Sequence, residues 1–136
     1  MLMDSRFEFS TAQAITATAD SENHIDLGAA GDADEELYLI CRVGTALASG
    51  DTDGTLVIGI ETDDNASFSS GTTLAASAAI AEASLTANKE VFTIRMPRGL
   101  ERYVQLTYTV GGTGDFTSGT VDAFVTKKPQ TADFQA

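Results

Sequence analysis

The chain has 136 residues, of which 43% are apolar and 21% are charged, a composition typical of one globular domain and not of a disordered chain. Its formal net charge of −12 makes binding to a nucleic-acid backbone unfavourable. Fourteen of the twenty acidic residues, but only two of the eight basic residues, lie in residues 1–68. The first half of the chain therefore presents either a solvated acidic face or a patch that is complementary to a basic partner.

The N-terminal segment MLMDSRFEFS lacks the basic region and apolar core of a signal peptide. No apolar stretch in the sequence reaches the length that crosses a membrane. We therefore expect a protein that is made in a cytosol-like compartment and does not bind membranes. Phe7 and Phe9 alternate with charged residues, and this pattern predicts a short strand or an extended arm.

The run LYLICRV at residues 37–43 is apolar on both faces, which predicts a strand in a central position or against a second surface. Its Cys41 is the single cysteine, so no intrachain disulfide forms, and we expect a buried thiol that behaves as a small hydrophobe. Residues 55–62 alternate and predict another strand. The turn before it resembles part of a calcium loop at Asp51 and Asp53, but Ile60 stands where the bidentate Glu is needed, so we predict a turn.

The run TTLAASAAIAEASL at residues 72–85 fits two patterns. Leu74, Ala78, Ala81 and Leu85 have helical spacing, whereas alternate residues from Leu74 to Ile80 fit a strand. Helix propensity favours the first pattern, and the strand-like segments on both sides favour the second. We predict two short strands.

Three alternating runs follow at residues 90–126: EVFTIRM, YVQLTYTV and TVDAFVT, separated by turn-rich segments. This pattern predicts a meander of consecutive antiparallel strands with one buried face. The predicted inner face consists of Phe92, Ile94, Met96, Val104, Leu106, Tyr108, Val110, Val121, Ala123 and Val125. Counting the runs gives about eight strands, so we predict an all-β, antiparallel two-sheet sandwich in a single domain, residues 1–136, with extended arms at 1–11 and 127–136.

The sequence offers little that supports catalysis. His24 is the one histidine and has acidic neighbours, but no segment resembles a nucleophile turn. The loop Gly111-Gly112-Thr113-Gly114 lies between strands and has neither a lysine nor a following helix, so it is not a phosphate-binding loop. We expect no enzyme activity and no catalytic, cofactor-binding or metal-binding residues.

Basic and aromatic residues near the predicted arms and late strands are instead candidates for contacts with a partner or a second copy. These candidates are Arg6, Phe7, Phe9, Arg95, Arg98, Arg102, Lys127, Lys128 and Phe134.

The order of residues also resembles a known family. The segments MLMDSRFEFSTAQAIT, FSSGTTLAASAAIAEASL and FTIRMPRGLERYVQLTYTVGGTGDFTSGTVDAFV are similar to the small jelly-roll capsid cement, or decoration, proteins of tailed bacteriophages. The resemblance implies a jelly roll on the capsid exterior, present as a homodimer or homotrimer, that binds the major capsid protein and bridges its subunits. It implies no catalytic residue.

Two other functions stay open at this point. One is a different phage structural or adhesive module, such as a tail or fibre component or a domain that binds the host surface. The other is an enzyme or small-molecule binder on a β-sandwich scaffold, which requires a deep pocket with convergent polar groups.

Overall fold

The computed structural model describes residues 7–28, 37–112 and 115–127, with the backbone alone at Lys127. This part of the chain forms twelve strands and a short 3₁₀ turn at Glu82–Ser84. The strands are β1 (Glu8–Ala14), β2 (Ala19–Asp20), β3 (Ile25–Asp26), β4 (Leu37–Val43), β5 (Ala48–Ser49), β6 (Thr55–Asp63), β7 (Thr72–Ala76), β8 (Ile80–Ala81), β9 (Glu90–Arg95), β10 (Tyr103–Gly111), β11 (Phe116–Ser118) and β12 (Thr120–Lys127).

The strands form two main antiparallel sheets. Sheet A has the order β1-β12-β4-β9, and sheet B has the order β2-β10-β6-β7. In sheet B, β3 also pairs with β10 and β8 also pairs with β6, so ten strands occupy eight positions in the two sheets. The remaining strands, β5 and β11, pair with each other. The predicted two-sheet sandwich is confirmed, with twelve strands in the described residues and not about eight.

The strand pairs are nested along the chain. β1 pairs with β12, β2 and β3 with β10, β4 with β9, and β6 with β7 and β8. The chain is therefore one long hairpin that has been rolled up, and the β12–β4 and β10–β6 pairs hold the roll together. This connectivity is that of a jelly roll.

The predicted meander of β9, β10 and β12 is wrong, because these three strands do not pair with one another. β9 and β12 both pair with β4 in sheet A, whereas β10 pairs with β6 in sheet B. Alternation of apolar residues determines which face of a strand is buried, but it does not determine the neighbouring strand. In the rolled hairpin, the chain crosses from sheet A to sheet B between β9 and β10 and returns to sheet A at β12.

The core lies between the two sheets, and the predicted inner faces are confirmed. Its inward-facing residues include Leu39, Cys41, Val43, Ile58, Ile60, Val104, Leu106, Tyr108, Val121 and Ala123, each at most 1% exposed. Burial of one such aliphatic side chain contributes about 1.5–3 kcal/mol. Burial also raises the pKa of the Cys41 thiol to about 12, with a smaller contribution from the Asp122 carboxylate. The thiol therefore acts as a packing group, as predicted.

One polar residue that alternates with the predicted inner face of β10 is also buried. Gln105 is 7% exposed, because its side-chain amide donates a hydrogen bond to Glu61 Oε1 at 2.5 Å on the outer face of sheet B. A polar residue at an outward position can thus be covered by a cross-strand partner.

Polar side chains close the long side of the sandwich between β1 and β2, which we call the polar side. Gln13 Nε2 donates to the Asp20 carbonyl oxygen at 2.9 Å, and Gln13 Oε1 accepts the Glu22 N–H at 2.9 Å. Ser10 Oγ donates to Gln13 Oε1 at 2.6 Å and lies 2.7 Å from the Tyr108 hydroxyl. Because the Ser10 proton is directed at Gln13, the Tyr108 hydroxyl donates to Ser10 and links the two sheets.

Residues 72–85 form two short strands, as predicted, followed by the 3₁₀ turn. Ser77 continues the pairing past the end of β7, since its N–H donates to the Ile58 carbonyl at 2.8 Å and its Oγ accepts the Ile58 N–H at 3.0 Å. The edge of β6 supplies hydrogen-bond partners along this segment. These bonds and the half-buried Leu74 and Ile80 override the local helix propensity.

The predicted N-terminal arm is shorter than expected. β1 begins at Glu8 and pairs with β12, so residues 8–11 belong to sheet A. Phe9 lies in the core with no exposed surface. At the other terminus, β12 ends at Lys127. The remaining parts of both predicted arms, residues 1–6 and 128–136, lie outside the described residues.

Candidate binding surface

The rolled hairpin places its connections at two opposite ends. The connections β1–β2, β4–β6, β8–β9 and β10–β12 lie at one end, which we call the far end. The connections β3–β4, β6–β7 and β9–β10 lie at the other end, where the described chain also begins at Phe7 and β12 finishes at Lys127. We call this second end the terminal end.

Most of the predicted contact residues that the structure describes lie at the terminal end. Arg95 is the last residue of β9, Arg98 and Arg102 lie in the β9–β10 connection, and all three are exposed. Lys127 ends β12 beside Leu37, at the same end. The fold thus brings together basic residues that are up to 32 positions apart in the sequence.

Acidic residues are interleaved with these cations at the terminal end, at Asp26, Asp64 and Glu101. The far-end connections have a different balance, with Lys89 accompanied by Asp51, Asp53, Glu82 and Asp115. Among the described residues, exposed basic side chains are therefore more numerous at the terminal end than at the far end.

The other predicted contacts are placed differently. Arg6, Lys128 and Phe134 lie outside the described residues. Phe9 is buried in the core, so we remove it from the candidate contacts. Sequence reasoning selected it because it alternates with charged residues, but alternation at a chain terminus is also the pattern of an ordinary core strand.

Two large apolar side chains are exposed at the terminal end. Phe7 is 41% exposed and Leu27 is 39% exposed. Leu27 was not predicted as a contact residue. The sequence does carry a signal for it, because this apolar residue directly follows β3 and precedes Gly28, at the end of a strand. Exposed apolar residues beside charges are typical of binding surfaces.

An ion pair fixes the β9–β10 connection to β3. Arg102 Nε and Nη2 donate to the two carboxylate oxygens of Asp26 at 2.9 and 3.1 Å, and the Leu27 N–H donates to the Arg102 carbonyl at 2.7 Å. The Arg102 hydrogen bond, followed by the Gly28 N–H at 2.8 Å, lowers the pKa of Asp26 to about 2. Because both side chains are exposed, the pair mainly sets the position of the Arg102 guanidinium.

Three rings and the same guanidinium form a small cluster at the terminal end. His24 makes edge contacts with Tyr103 and Phe68, with ring centroids 5.5 and 6.0 Å apart. The Arg102 guanidinium lies 5.0 Å from the centre of the Tyr103 ring. This ring cluster, with Leu27 beside it, gives the surface an aromatic and cationic character.

A buried carboxylate holds the β6–β7 connection that carries Phe68. Asp63 is 1% exposed, and its oxygens accept the N–H groups of Asp64, Asn65 and Ser70 at 2.7, 3.3 and 2.9 Å. These bonds, with Ser70 the largest contributor, lower the pKa of Asp63. Phe68 has a φ of 53°, a conformation that costs a non-glycine residue energy. The connection is thus held in shape before any partner binds.

The hydroxyl of Thr62 ties this connection to the next one. Thr62 Oγ1 donates to the Tyr103 carbonyl at 2.8 Å and accepts the Glu101 N–H at 2.8 Å. Two of the three terminal-end connections therefore share one buried anchor. The sequence signals part of this arrangement, because Asp-Asp-Asn is typical of a side-chain-capped turn, but it gives no signal for contacts 39 to 76 residues apart.

The structure does not bring the remaining chemical candidates together. His24 lies at the terminal end, whereas Asp51 and Asp53 lie in a far-end connection. Within residues 7–28, 37–112 and 115–127, no group of three His, Cys, Asp or Glu side chains has the arrangement of a metal site. In the same residues, no helix has the length and apolar character to cross a membrane.

The fold and this surface define a class of protein: a jelly-roll module that presents a preformed, mixed-charge and aromatic surface at the end where its described residues begin and finish. The chain belongs to the Bbp16 family, whose model matches residues 9–125. That match starts in β1 and finishes in β12, so it covers both sheets. No curated protein matches the chain.

Proposed function

We propose that the chain is a capsid cement protein, which binds the outside of a tailed-phage capsid and bridges subunits of the major capsid protein. The observation that carries this proposal is the convergence of Arg95, Arg98 and Arg102 with the exposed Phe7 and Leu27 at one end of the sandwich. Protein interfaces are enriched in arginine and aromatic residues and combine apolar contacts with a polar rim.

The β6–β7 and β9–β10 connections of the terminal end suit this function. A surface that is already held by Asp63, Thr62 and the Arg102–Asp26 pair loses little conformational entropy when it binds. A cement protein has to stay bound while the packaged genome pushes the shell outward. A smaller entropy cost of ordering the surface makes the free energy of binding to the capsid more favourable. The sandwich behind the surface is cross-linked by backbone hydrogen bonds and resists deformation.

The charge of the chain supports a position on the outside of the shell. The net charge of −12 disfavours contact with packaged nucleic acid, and the far end carries a further group of acidic residues. In this proposal the protein is made in the host cytoplasm, binds the shell as a homo-oligomer through its terminal end, and directs its far end to solvent.

Cryo-electron microscopy of the virus particle that encodes the chain tests the proposal. We expect copies at regular positions on the capsid exterior, in numbers comparable to the major capsid protein, with the terminal end against the shell. Density for the chain on the tail or fibres alone would replace the proposal with an adhesive or tail function. Absence from the particle would remove both.

A truncation tests the role of the C-terminal residues. Because β12 ends at Lys127, deletion of residues 128–136 should leave the thermal unfolding midpoint of the sandwich unchanged while it reduces cosedimentation with purified capsids. Unchanged cosedimentation would show that these residues make no contact with the shell. A large fall in the unfolding midpoint would show that they complete the fold.

A further inference from the structure

Two apolar side chains on the outer face of sheet A are buried although they lie outside the core. Ile40 of β4 and Phe124 of β12 are Cα partners, and they are 5% and 6% exposed. Their chain neighbours Cys41 and Ala123 belong to the core between the sheets, whereas these two residues do not. Because side chains alternate along a strand, Ile40 and Phe124 point away from sheet B. We call them the outer pair.

The burial of the outer pair is local. Arg42, which follows Ile40 on the same face, is exposed, and so is Thr93, the Cα partner of Ile40 in β9. On the opposite side, Glu8 of β1 is the Cα partner of Phe124 and is half-buried. The outer face of an antiparallel sheet is commonly solvated, so a covered apolar patch on it indicates that another segment lies over it. This cover lies toward β1 and not toward β9.

We infer that residues 1–5 of the same chain cover the outer pair. In this arrangement Met1, Leu2 and Met3 contact Ile40 and Phe124, and apolar surface of both partners leaves water. The inference goes beyond the proposed function, because it concerns a contact within one copy and needs no capsid.

The start of β1 brings this segment next to the outer pair. Phe7, the residue before β1, lies in a 3₁₀ turn, so the chain changes direction there and does not extend the line of β1. Neighbouring strands are about 4.8 Å apart, so Ile40, two strands from Glu8, is about 10 Å from it. Five extended residues span about 17 Å, which is enough for Leu2 to reach across Phe124 to Ile40.

Composition favours residues 1–5 over the two other segments of the terminal end that lie outside the described residues. Residues 29–36 read AAGDADEE and have no large apolar side chain. Residues 128–136 read KPQTADFQA, and their one large apolar side chain, Phe134, is seven positions past the end of β12. Residues 1–3 are three consecutive large apolar residues, and Asp4 and Ser5 are of the types that form turns.

The reactivity of a thiol at position 40 tests the cover. In the folded full chain, Ile40→Cys should react with a maleimide at least about tenfold more slowly than Thr93→Cys, which occupies an exposed position on the same face. The native Cys41 is buried and should not react. Leu2→Asp combined with Met3→Asp should raise the rate at position 40 at least about tenfold, because carboxylates do not stay on an apolar surface. The rate at position 93 should not change.

Three results would contradict the inference. The first is fast labelling at position 40 in the chain that keeps Leu2 and Met3. The second is slow labelling that persists with both aspartates in place. The third is a loss of protection on deletion of residues 128–136, which would assign the cover to the C-terminal residues. Protection that is unchanged by this deletion is the expected result.

Methyl NMR on the chain without substitutions gives a test that does not depend on any variant. We expect nuclear Overhauser contacts from the methyl groups of Leu2 or Met3 to the Ile40 methyl groups or the Phe124 ring. Met96 packs against the core and is the internal control for methionine labelling. In a mixture of labelled and unlabelled copies, these contacts should stay within one copy. Contacts only between copies would show an exchanged segment, and no contact from residues 1–3 to the outer pair would also overturn the inference.

Discussion

The two ends of the sandwich are held together by different mixtures of bonds. At the far end, backbone groups of neighbouring connections bond to each other, as in the Leu47 N–H to the Leu85 carbonyl at 3.1 Å and the Ile15 N–H to the Gly119 carbonyl at 3.2 Å, and the Glu82 carboxylate also accepts the Ser49 N–H at 3.0 Å. Leu47, Leu85 and Phe116 are at most 3% exposed there. At the terminal end, the side chains of Asp26, Asp63 and Thr62 make the connecting bonds.

This difference indicates that the far end mainly stabilises the fold and the terminal end mainly presents the binding surface. Backbone bonds and apolar packing depend little on charge or pH, so the far end is suited to fixing the fold. Carboxylates that gather N–H groups fix a surface without burying its aromatic and basic residues, so the terminal end is suited to presenting them. Substitutions of buried residues at the far end should therefore change stability, and substitutions of exposed residues at the terminal end should mainly change binding.

The largest effect should come from a buried position in β10, a strand that runs from the terminal end to the far end. Leu106→Asp places a carboxylate in a position with no exposed surface, and we expect a loss of more than about 4 kcal/mol, enough to unfold the chain. Thr109→Asp, on the exposed face of the same strand, is the control and should stay folded. Circular dichroism with thermal unfolding measures both. A folded Leu106→Asp variant would mean that the assignment of faces in β10 is reversed.

At the far end, Gly119→Ala should lower the free energy of unfolding by about 3 kcal/mol, through backbone strain and overpacking. Gly119 has a φ of 125°, and an added Cβ would lie 2.6 Å from Leu47 Cα. Gly50→Ala is the matched control, because an added Cβ there has no neighbour within 4 Å. Denaturant titrations of the two variants give the difference, and equal stabilities would contradict the close approach at Gly119.

At the terminal end, Arg98→Glu should weaken cosedimentation with capsids at least about tenfold and leave the unfolding midpoint unchanged. Lys89→Glu makes the same change of charge on an exposed residue at the far end, and it should leave both quantities unchanged. Equal loss of attachment in the two variants would show that net charge, and not the terminal end, governs binding.

The order of the β6–β7 connection should depend on one carboxylate. Asp63→Ala removes the acceptor for three backbone N–H groups, and we expect hydrogen exchange at Ser70 to accelerate at least about tenfold. Asp64→Ala changes the exposed neighbouring acid and should leave this exchange rate unchanged. Protection of Ser70 in both variants would indicate another anchor for the connection.

The smallest effect concerns pH. Since the folded-state pKa of Asp26 is lowered from 3.8 to about 2, the contribution of the Arg102–Asp26 pair is present above pH 3.8 and is lost as the pH falls through about 2. A carbon-detected NMR titration should give this midpoint for Asp26. Arg102→Gln should raise the midpoint toward 3.8, whereas Arg98→Gln should not change it. An unshifted midpoint in the wild-type chain would show that the pair is not formed.

Much of the sandwich could be predicted from the sequence, because alternation directly reports which face of a strand is buried. The inner face of β10, the burial of Cys41 and the two short strands in residues 72–85 all follow from it. The strand partners could not be predicted, since β9 and β10 alternate in the same way and yet lie in different sheets. For this reason the predicted meander of β9, β10 and β12 is wrong.

The candidate surface was predictable in part. The basic residues at Arg98 and Arg102 were identified by their charge, but Leu27, Phe68 and the anchor Asp63 were not. Their roles depend on contacts between connections that are close in space and distant in the sequence, such as the bond from Glu101 to Thr62. The pattern of neighbouring residues in the sequence does not show such contacts.

The pairing of β1 with β12 also constrains how the protein is made. β1 finds its neighbour in sheet A only when β12 has been synthesised, and β4, which also pairs with β9, gains its second neighbour only then. Sheet A is therefore completed late, and folding should be slow, on the order of milliseconds to seconds, as in other chains dominated by distant pairings. Until then the edge of β4 that pairs with β12 is open, and we expect such an edge to favour aggregation or binding to chaperones.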